Sequence, residues 1–155
     1  MAIREIIKEG DEVLAKKCRE VTDFNDRLSV LIDDMFDTMY EANGVGLAAP
    51  QVGILRRIVV IDTGDQPIEL VNPVILTQEG EQQDVEGCLS VPGIYGMTKR
   101  PAKVRVRALD RKGAAHEYEG EGLLARAFCH EIDHLDGILF RTHVTEYINT
   151  SETEE

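Results

Sequence analysis

Two histidines and a glutamate lie within five residues of each other, as His130, Glu131 and His134, in the pattern H-E-x-x-H. On a helix, positions i and i+4 share one face, so both imidazoles can reach a single metal ion. Glu131 is about 100° around the helix axis from His130, close enough to meet a water on the ion without being a ligand. Because this pattern also occurs in helices without a metal, a third ligand has to decide whether a site exists.

The two common zinc-protease patterns do not supply that ligand. The extended pattern H-E-x-x-H-x-x-G-x-x-H fails because Phe140 stands at its last position. A pattern with a downstream glutamate would need Glu146 or an acid of the tail, and we expect little ordered structure there. His116 and His143 are interpreted as surface histidines. A ligand from an upstream segment is therefore the remaining alternative.

Cys88 is the best upstream candidate by elimination, because it lies between a glycine and the turn-prone sequence Ser-Val-Pro-Gly. Cys18 lies in a lysine-rich segment, and Cys129 projects from another face of the histidine helix. A lone cysteine beside a glycine is also often a small buried hydrophobic residue, so elimination alone leaves this alternative open. Three scattered cysteines do not form a disulfide framework, and we expect thiols or metal ligands.

Three segments taken together resemble the signature motifs of the peptide deformylases. They are residues 44–51 (GVGLAAPQ), 86–90 (EGCLS) and 130–134 (HEIDH), in the order and spacing of that family. The resemblance covers nearly the whole chain. It implies that Cys88, His130 and His134 bind the metal and that Glu131 is the catalytic acid/base. It further implies that the Gln51 side chain and the Leu89 N–H stabilise the oxyanion.

The resemblance also implies the reaction, which is removal of the N-formyl group from the initiator N-formylmethionine of new polypeptides with release of formate. Metal-bound water would attack the formyl carbon, because three protein ligands leave a coordination position open. The ion would be one divalent metal per chain, Fe(II) in the cell, with Zn(II) or Ni(II) able to substitute. For the methionine side chain we expect a slot lined by Val45, Gly46, Leu123 and Ala127.

Two hypotheses support these roles. Glu86 is expected to accept a hydrogen bond from one of the ligating histidines, since such ligands are usually oriented by a carboxylate or carbonyl. Arg126 is expected to meet the solvent side of the bound peptide.

Two rival functions rest on the histidine helix without the resemblance. They are a general H-E-x-x-H metallopeptidase and a non-catalytic domain with a structural zinc.

The elements that position these residues predict an α+β fold, with antiparallel strands packed around a central metal-binding helix and helices near the N-terminus. Apolar periodicity predicts a helix over residues 23–43, a short one over 11–17 and the histidine helix over 121–135. Short β-type runs at residues 58–61, 68–71, 74–76, 104–107 and 116–118 predict strands. On the histidine helix, one side is expected to face water; it carries Arg126, Cys129, Asp133 and Asp136.

Size and charge narrow the class of protein. The 155 residues favour one catalytic domain over residues 1–150 and an acidic tail over 151–155. A net charge of -12 argues against direct nucleic-acid or anionic-membrane binding. No signal peptide or spanning segment is recognisable, so a cytoplasmic protein is expected.

The partners that the resemblance implies are N-formylmethionyl nascent chains and, transiently, the ribosome. Many members of the family it resembles continue into a substantial C-terminal helix, whereas residues 145–155 here are polar and acidic, which argues against the ribosome contact that a basic helix would make.

Overall fold

The structure, a computed structural model, describes residues 2–148; the acidic tail expected over 151–155 lies outside the described residues. It has two α-helices, three short 3-10 helices and eight strands in this part of the chain. The predicted α+β class is confirmed. The helices are α1 (Asp26–Glu41) and α2 (Gly122–Leu135), and the 3-10 helices are Glu12–Ala15, Ala49–Val52 and Phe140–His143.

All eight strands pair in antiparallel fashion and form two sheets. The strands are β1 (Gly46–Ala48), β2 (Ile58–Ile61), β3 (Ile68–Glu79), β4 (Gln82–Cys88), β5 (Val91–Arg100), β6 (Lys103–Leu109), β7 (Ala115–Glu121) and β8 (Val144–Ile148). The larger sheet has the order β1-β2-β3-β6-β7, and the smaller has the order β4-β5-β8. The motifs predicted to bind a metal therefore lie on different parts of the fold, with residue 88 at the end of β4 and residues 130–134 in α2.

The larger sheet separates two apolar clusters. Val59 and Ile61 of β2 pack with α2, whereas Ile58 and Val60 of the same strand pack with α1. Because successive side chains of a strand point to opposite faces, a strand covered on both faces reads as a continuous apolar run. This explains the sequence Ile-Val-Val-Ile, all four residues of which are fully buried. The helix α2 therefore packs on one face of the larger sheet.

The ends of the helices follow from local sequence. The side chain of Asn25 accepts a hydrogen bond from the Leu28 N–H at 3.1 Å and so caps α1. After α2, Gly137 has φ +76, and a Cβ there would lie 2.5 Å from the Ala15 carbonyl oxygen. Glycine is therefore required to end α2 and to let the chain pass the N-terminal segment. The short helix expected over 11–17 is a single 3-10 turn.

The strands depart from prediction at several places. Residues 68–71 and 74–76, predicted as two strands, form one strand, β3, with a register shift between Val71 and Val74. At this bulge Asn72 has φ 53, and its side chain bonds both the N–H and the carbonyl of Val21. Strands β1, β4 and β5 were not predicted. The expectation of little ordered structure after the histidine helix was wrong, because β8 pairs with β5 there.

The side of α2 expected to face water is mostly covered. Asp136 is exposed, but Cys129 is buried in the core, and Arg126 and Asp133 are only partly exposed. The covering groups come from β4 and β5, which were absent from the predicted fold. Arg100 of β5 donates to Asp133 at 2.9 Å, and Arg126 donates to the Val85 carbonyl of β4 at 3.3 Å.

Candidate metal centre

Three side chains that could hold a metal ion converge where the end of β4 meets α2. The Sγ of Cys88 lies 3.4 Å from Nε2 of His134, and one donor atom from each of Cys88, His130 and His134 lies within 4.8 Å of the others. The i and i+4 spacing places both rings on the inner face of α2, with centroids 5.1 Å apart. Within residues 2–148 this is the one group of three or more such side chains with this geometry.

The chemistry of these donors fits a divalent transition metal. A thiolate and two imidazoles form a set that suits Zn(II) or Fe(II). Burial, together with the positive charges of His130 and Arg100, lowers the pKa of His134 to about 3, so its ring is neutral and able to act as a ligand. Burial lowers the pKa of His130, but the charge of Glu131 and hydrogen bonds with Cys88 and Glu86 raise it well above its usual range. The cavity thus favours a positive charge.

Glu86 holds one of the histidines in place, as predicted. Its Oε1 accepts from Nδ1 of His130 at 2.8 Å, which leaves Nε2 of that ring free to face the other donors. Arg100 binds both carboxylate oxygens of Glu86, at 2.9 and 3.0 Å, and the Thr98 hydroxyl donates at 2.5 Å. Burial opposes ionisation, but the hydrogen bonds from His130 and Arg100 lower the pKa of Glu86, which stays a carboxylate.

Arg100 is the residue of this site that sequence reasoning missed. Its side chain is 3% exposed and joins Glu86 on β4 to Asp133 on α2, so it crosslinks two of the elements that carry ligands. The pairing of β4 with β5 places Glu86 opposite Gly96, and Thr98 and Arg100 follow on the same face of β5. Because β5 was not predicted, no sequence signal connected Arg100 to Glu86.

Glu131 lies beside the three donors and, among the described residues, pairs with His130. Its Oε2 is 3.9 Å from Nε2 of His130, and its Oε1 is buried and has no hydrogen-bond partner in the described chain. Burial raises the pKa of Glu131 to about 7, which suits a group that exchanges protons near neutral pH. A Cβ at Gly46 would lie 2.6 Å from Oε2, so glycine is what lets β1 approach this carboxylate.

Gln51 reaches the same place from the 3-10 helix Ala49–Val52. Its Oε1 accepts from the Ala48 N–H at 2.9 Å, and its Nε2 lies 3.1 Å from the Ser90 hydroxyl and 3.6 Å from Cys88 Sγ. The amide is therefore oriented with its NH₂ toward the Cys88 sulfur. Leu89 follows Cys88 in the turn between β4 and β5, and its side chain packs against Gly44.

Two cavities open onto Glu131. The larger, about 440 Å³, is lined by Gly46, Gln51, Cys88, Leu89, His130 and Glu131, among others. The smaller, about 210 Å³, is lined by Val45, Leu123 and Ala127, together with Val85 and Arg126. Val45, His130 and Glu131 border both cavities. Arg126, which is expected to meet the solvent side of the bound peptide, has a side chain that is 12% exposed and lines the smaller cavity.

The residues set aside as ligands lie elsewhere. His143 pairs with Asp133 at 3.0 Å, and His116 pairs with Asp110 at 2.8 Å. Cys18 and Cys129 are buried in the apolar cluster beneath α2. Across the described residues, the helices are too short or too polar to cross a membrane.

Comparisons with known proteins agree with this geometry. The model of the family described as polypeptide deformylase matches residues 3–149. Peptide deformylases from Acetivibrio thermocellus and Caldicellulosiruptor bescii are 58% and 59% identical to the chain, over 99% and 100% of it and 91% and 93% of their own lengths.

Solved structures show the same fold. The crystal structure of peptide deformylase from Thermotoga maritima matches with a TM-score of 0.91 at 40% identity, covering 94% of this chain and 99% of that one. A peptide deformylase from Legionella pneumophila matches with a TM-score of 0.90 at 50% identity, covering 93% and 87%. The resemblance seen in the three motifs is confirmed, and the chain belongs to the polypeptide deformylase family.

Proposed function

We propose that the protein is a metal-dependent peptide deformylase, which hydrolyses the N-formyl group of peptides that begin with N-formylmethionine. The observation that carries this proposal is the convergence of Cys88, His130 and His134 beside the buried carboxylate of Glu131, one oxygen of which has no hydrogen-bond partner among the described residues. Three protein ligands leave a coordination position open, as in catalytic rather than structural sites. Membership of the deformylase family supports the same conclusion.

Cys88, His130 and His134 would hold one divalent ion. Such an ion supplies Lewis-acid chemistry, lowering the pKa of water from about 16 toward 7 and polarising an amide carbonyl. We propose Fe(II) as the cellular metal, with Zn(II) and Ni(II) as substitutes, because a thiolate with two imidazoles accommodates all three. Glu86 would keep His130 in the tautomer with its proton on Nδ1, so that Nε2 is available as the ligand atom.

The chain's own residues can perform the remaining steps of amide hydrolysis. Glu131 takes a proton from the attacking water and delivers it to the departing amine, for which a pKa of about 7 is well placed. Water adds to the formyl carbon, the C–N bond breaks, and the products are formate and a peptide with a free amine. Gln51 Nε2 and the Leu89 N–H are proposed as the oxyanion donors; losing one such donor costs about 10² to 10³ in rate.

The two cavities suggest how the substrate lies. The smaller one would take the methionine side chain against Val45, Leu123 and Ala127, and Gly46 lets the substrate and Glu131 share the space in front of β1. Nascent chains are then the partners, with transient contact to the ribosome and a cytoplasmic location as further proposals. We propose that the catalytic domain spans residues 1–150, since the family match covers 3–149.

Formate release from formyl-Met-Ala by Zn(II)- or Fe(II)-loaded protein tests the proposal directly. The Glu131→Ala variant is expected to bind the metal with the wild-type stoichiometry and to lose at least about 10²-fold in kcat. Metal-loaded protein that releases no formate would overturn the assignment. Cleavage of internal bonds in unformylated peptides would instead support the metallopeptidase alternative.

A further inference from the structure

A third cavity, of about 550 Å³, lies away from the metal centre. It shares no lining residue with the two cavities that open onto Glu131. Its apolar wall is formed by Val21, Leu28, Leu31, Ile54 and Ile58. All five side chains belong to the apolar cluster on the α1 side of the larger sheet or pack against it. The cavity therefore lies on the opposite side of this sheet from α2 and its histidines.

Three exposed arginines, Arg19, Arg27 and Arg56, also line this space, which we call the arginine cavity. Residues 19 and 56 form a parallel β-bridge. In it, the Arg19 N–H donates to the Leu55 carbonyl at 3.2 Å, and the Arg57 N–H donates to the Arg19 carbonyl at 2.9 Å. Residues paired in this way lie about 4.8 Å apart and direct their side chains to the same face. Two like charges are thus held side by side, an arrangement that is unfavourable without a counter-ion.

No carboxylate of the described residues forms an ion pair with the three arginines of the cavity. Of the eight other arginines, seven have such a partner within residues 2–148, and Arg107 is the exception. Glu20 and Asp23 also border the cavity, but neither pairs with an arginine in the described chain. In a protein with a net charge of -12, this concentration of arginines without partners favours an anionic ligand.

A phosphate group matches three guanidinium groups better than a carboxylate does. An ionised phosphate ester carries a charge of about −1.5 to −2 on three acceptor oxygens, whereas a carboxylate offers two oxygens and one charge. Each planar guanidinium can donate two parallel hydrogen bonds to such oxygens. The apolar wall leaves room for an organic group beside the phosphate, since cavities of roughly 300 to 1,000 Å³ are typical of small-molecule sites. The acidic charge of the whole protein disfavours a polyanion such as RNA.

We propose that the arginine cavity binds a small organic phosphate. Arg19, Arg27 and Arg56 donate to the phosphate oxygens, and the apolar part of the ligand lies against Leu28 and Ile54. Binding is reversible and makes or breaks no covalent bond. The cavity is separate from the metal centre, so this inference goes beyond the proposed deformylase function and does not depend on it.

The probe is 1-naphthyl phosphate, which joins a phosphate to an apolar group. Calorimetric titration of Zn(II)-loaded protein at low ionic strength is expected to give a Kd of about 1 mM or below, ordinary for a ligand of this size. Inorganic phosphate lacks the apolar group and 1-naphthoate lacks the dianion, so each should bind at least about fivefold more weakly. Amide chemical shifts should change in residues 19–28 and 54–58 and stay constant in 87–89, which border the metal centre.

Substitutions separate the arginine cavity from general charge. Arg19→Gln and Arg27→Gln each remove one cation from the cavity and should weaken binding of the probe by about five- to tenfold. Arg107→Gln is the matched control, because Arg107 is exposed on β6, forms no ion pair within residues 2–148 and lies outside the cavity. It should bind the probe as wild type does. All three variants should hydrolyse formyl-Met-Ala at the wild-type rate.

Four results would overturn this inference. They are the absence of saturable binding, shifts confined to residues 87–89, an equal loss of affinity in Arg107→Gln and Arg19→Gln, and inorganic phosphate binding as tightly as the probe. An RNA oligonucleotide that displaces the probe at a lower concentration than the probe's own Kd would replace the small ligand by nucleic acid. Formate release from formyl-Met-Ala is measured on the same samples, so failure of this inference and failure of the deformylase function are distinguished.

Discussion

Gly46 and Glu131 face each other so closely that the hydrogen of the glycine is the largest group that fits between them. A Cβ on residue 46 would lie 2.6 Å from Oε2 of Glu131 and 2.8 Å from its Cγ. Strand β1 and helix α2 are both packed into the core, so neither can retreat to make room. The position of the proposed proton-transfer group therefore depends on a glycine in a different motif.

The first prediction is that Gly46→Ala displaces the Glu131 carboxylate and lowers kcat for formyl-Met-Ala by about 10²-fold, the effect of a misplacement near 1 Å. Metal content should stay at the wild-type level, because the added methyl faces Glu131 rather than a ligand. Gly64→Ala is the control, since it strains a loop with φ +112 but meets no atom within 4 Å. An alanine at 46 with unchanged kcat would show that Glu131 does not need this position.

A second prediction concerns the buried network around Glu86. Glu86→Gln removes the charge that pairs with Arg100 and orients His130, leaving a guanidinium that is 3% exposed with Asp133 as its remaining ion-pair partner. We expect the free energy of unfolding to fall by about 3 to 5 kcal/mol. Metal affinity should fall by about 10- to 100-fold, because the ring loses its anionic acceptor.

Urea unfolding and competitive metal titration measure the two effects of Glu86→Gln. The matched control is Glu117→Gln, which removes the partner of Arg105 in a pair that is about half exposed on both sides. Exposed pairs contribute about 0 to 1 kcal/mol, so this control should change the free energy of unfolding and the metal affinity very little. Equal behaviour of the two variants would contradict the role given to Glu86.

The network around Glu86 also shows what the sequence could and could not predict. The Glu86–His130 contact was expected because ligating histidines need an acceptor and Glu86 is two residues from Cys88. The contact between Arg100 and Glu86 was not expected, because the position of Arg100 depends on the β4–β5 pairing, in which Glu86 is opposite Gly96. Strand β4 has six of its seven residues exposed or partly exposed and few β-branched residues, so it lacks the apolar alternation that identified β6.

The helices were predicted more closely because their signals are local. Asn25 caps α1 from its own chain segment, and the i and i+4 spacing of His130 and His134 fixes their shared face wherever α2 lies. Cys88 is different, since its position opposite these rings depends on how β4 meets α2. Elimination among the cysteines pointed to it, but the three motifs in order were needed to select it.

A third prediction uses the thiols to detect the metal. Burial raises the pKa of both Cys18 and Cys129 to about 11, so at pH 7.5 neither is expected to form the reactive thiolate readily. Cys88 is partly exposed and borders the larger cavity. Chelator-treated protein should therefore gain one iodoacetamide adduct, on Cys88, and Zn(II)-loaded protein should gain none.

Peptide mapping by mass spectrometry locates the adduct, and Cys88→Ser, which should remain unmodified in both states, is the control. Labelling of Cys88 at the same rate with and without Zn(II) would argue against its being a ligand. Labelling of Cys18 or Cys129 in folded protein would contradict their placement in the core.

The last prediction tests whether the smaller cavity holds the methionine side chain. Ala127 is 5% exposed and lines this cavity, so Ala127→Leu adds three carbons to the space that methionine would fill. We expect kcat/KM for formyl-Met-Ala to fall at least about tenfold, while formyl-Gly-Ala, which has no side chain to place, changes far less. Overpacking should cost about 1 to 3 kcal/mol of stability, so assays belong well below the unfolding temperature. Ala115→Leu on the exposed edge strand β7 is the control. If Ala127→Leu lost the same factor in kcat/KM for both substrates, the methionine side chain would not bind in the smaller cavity.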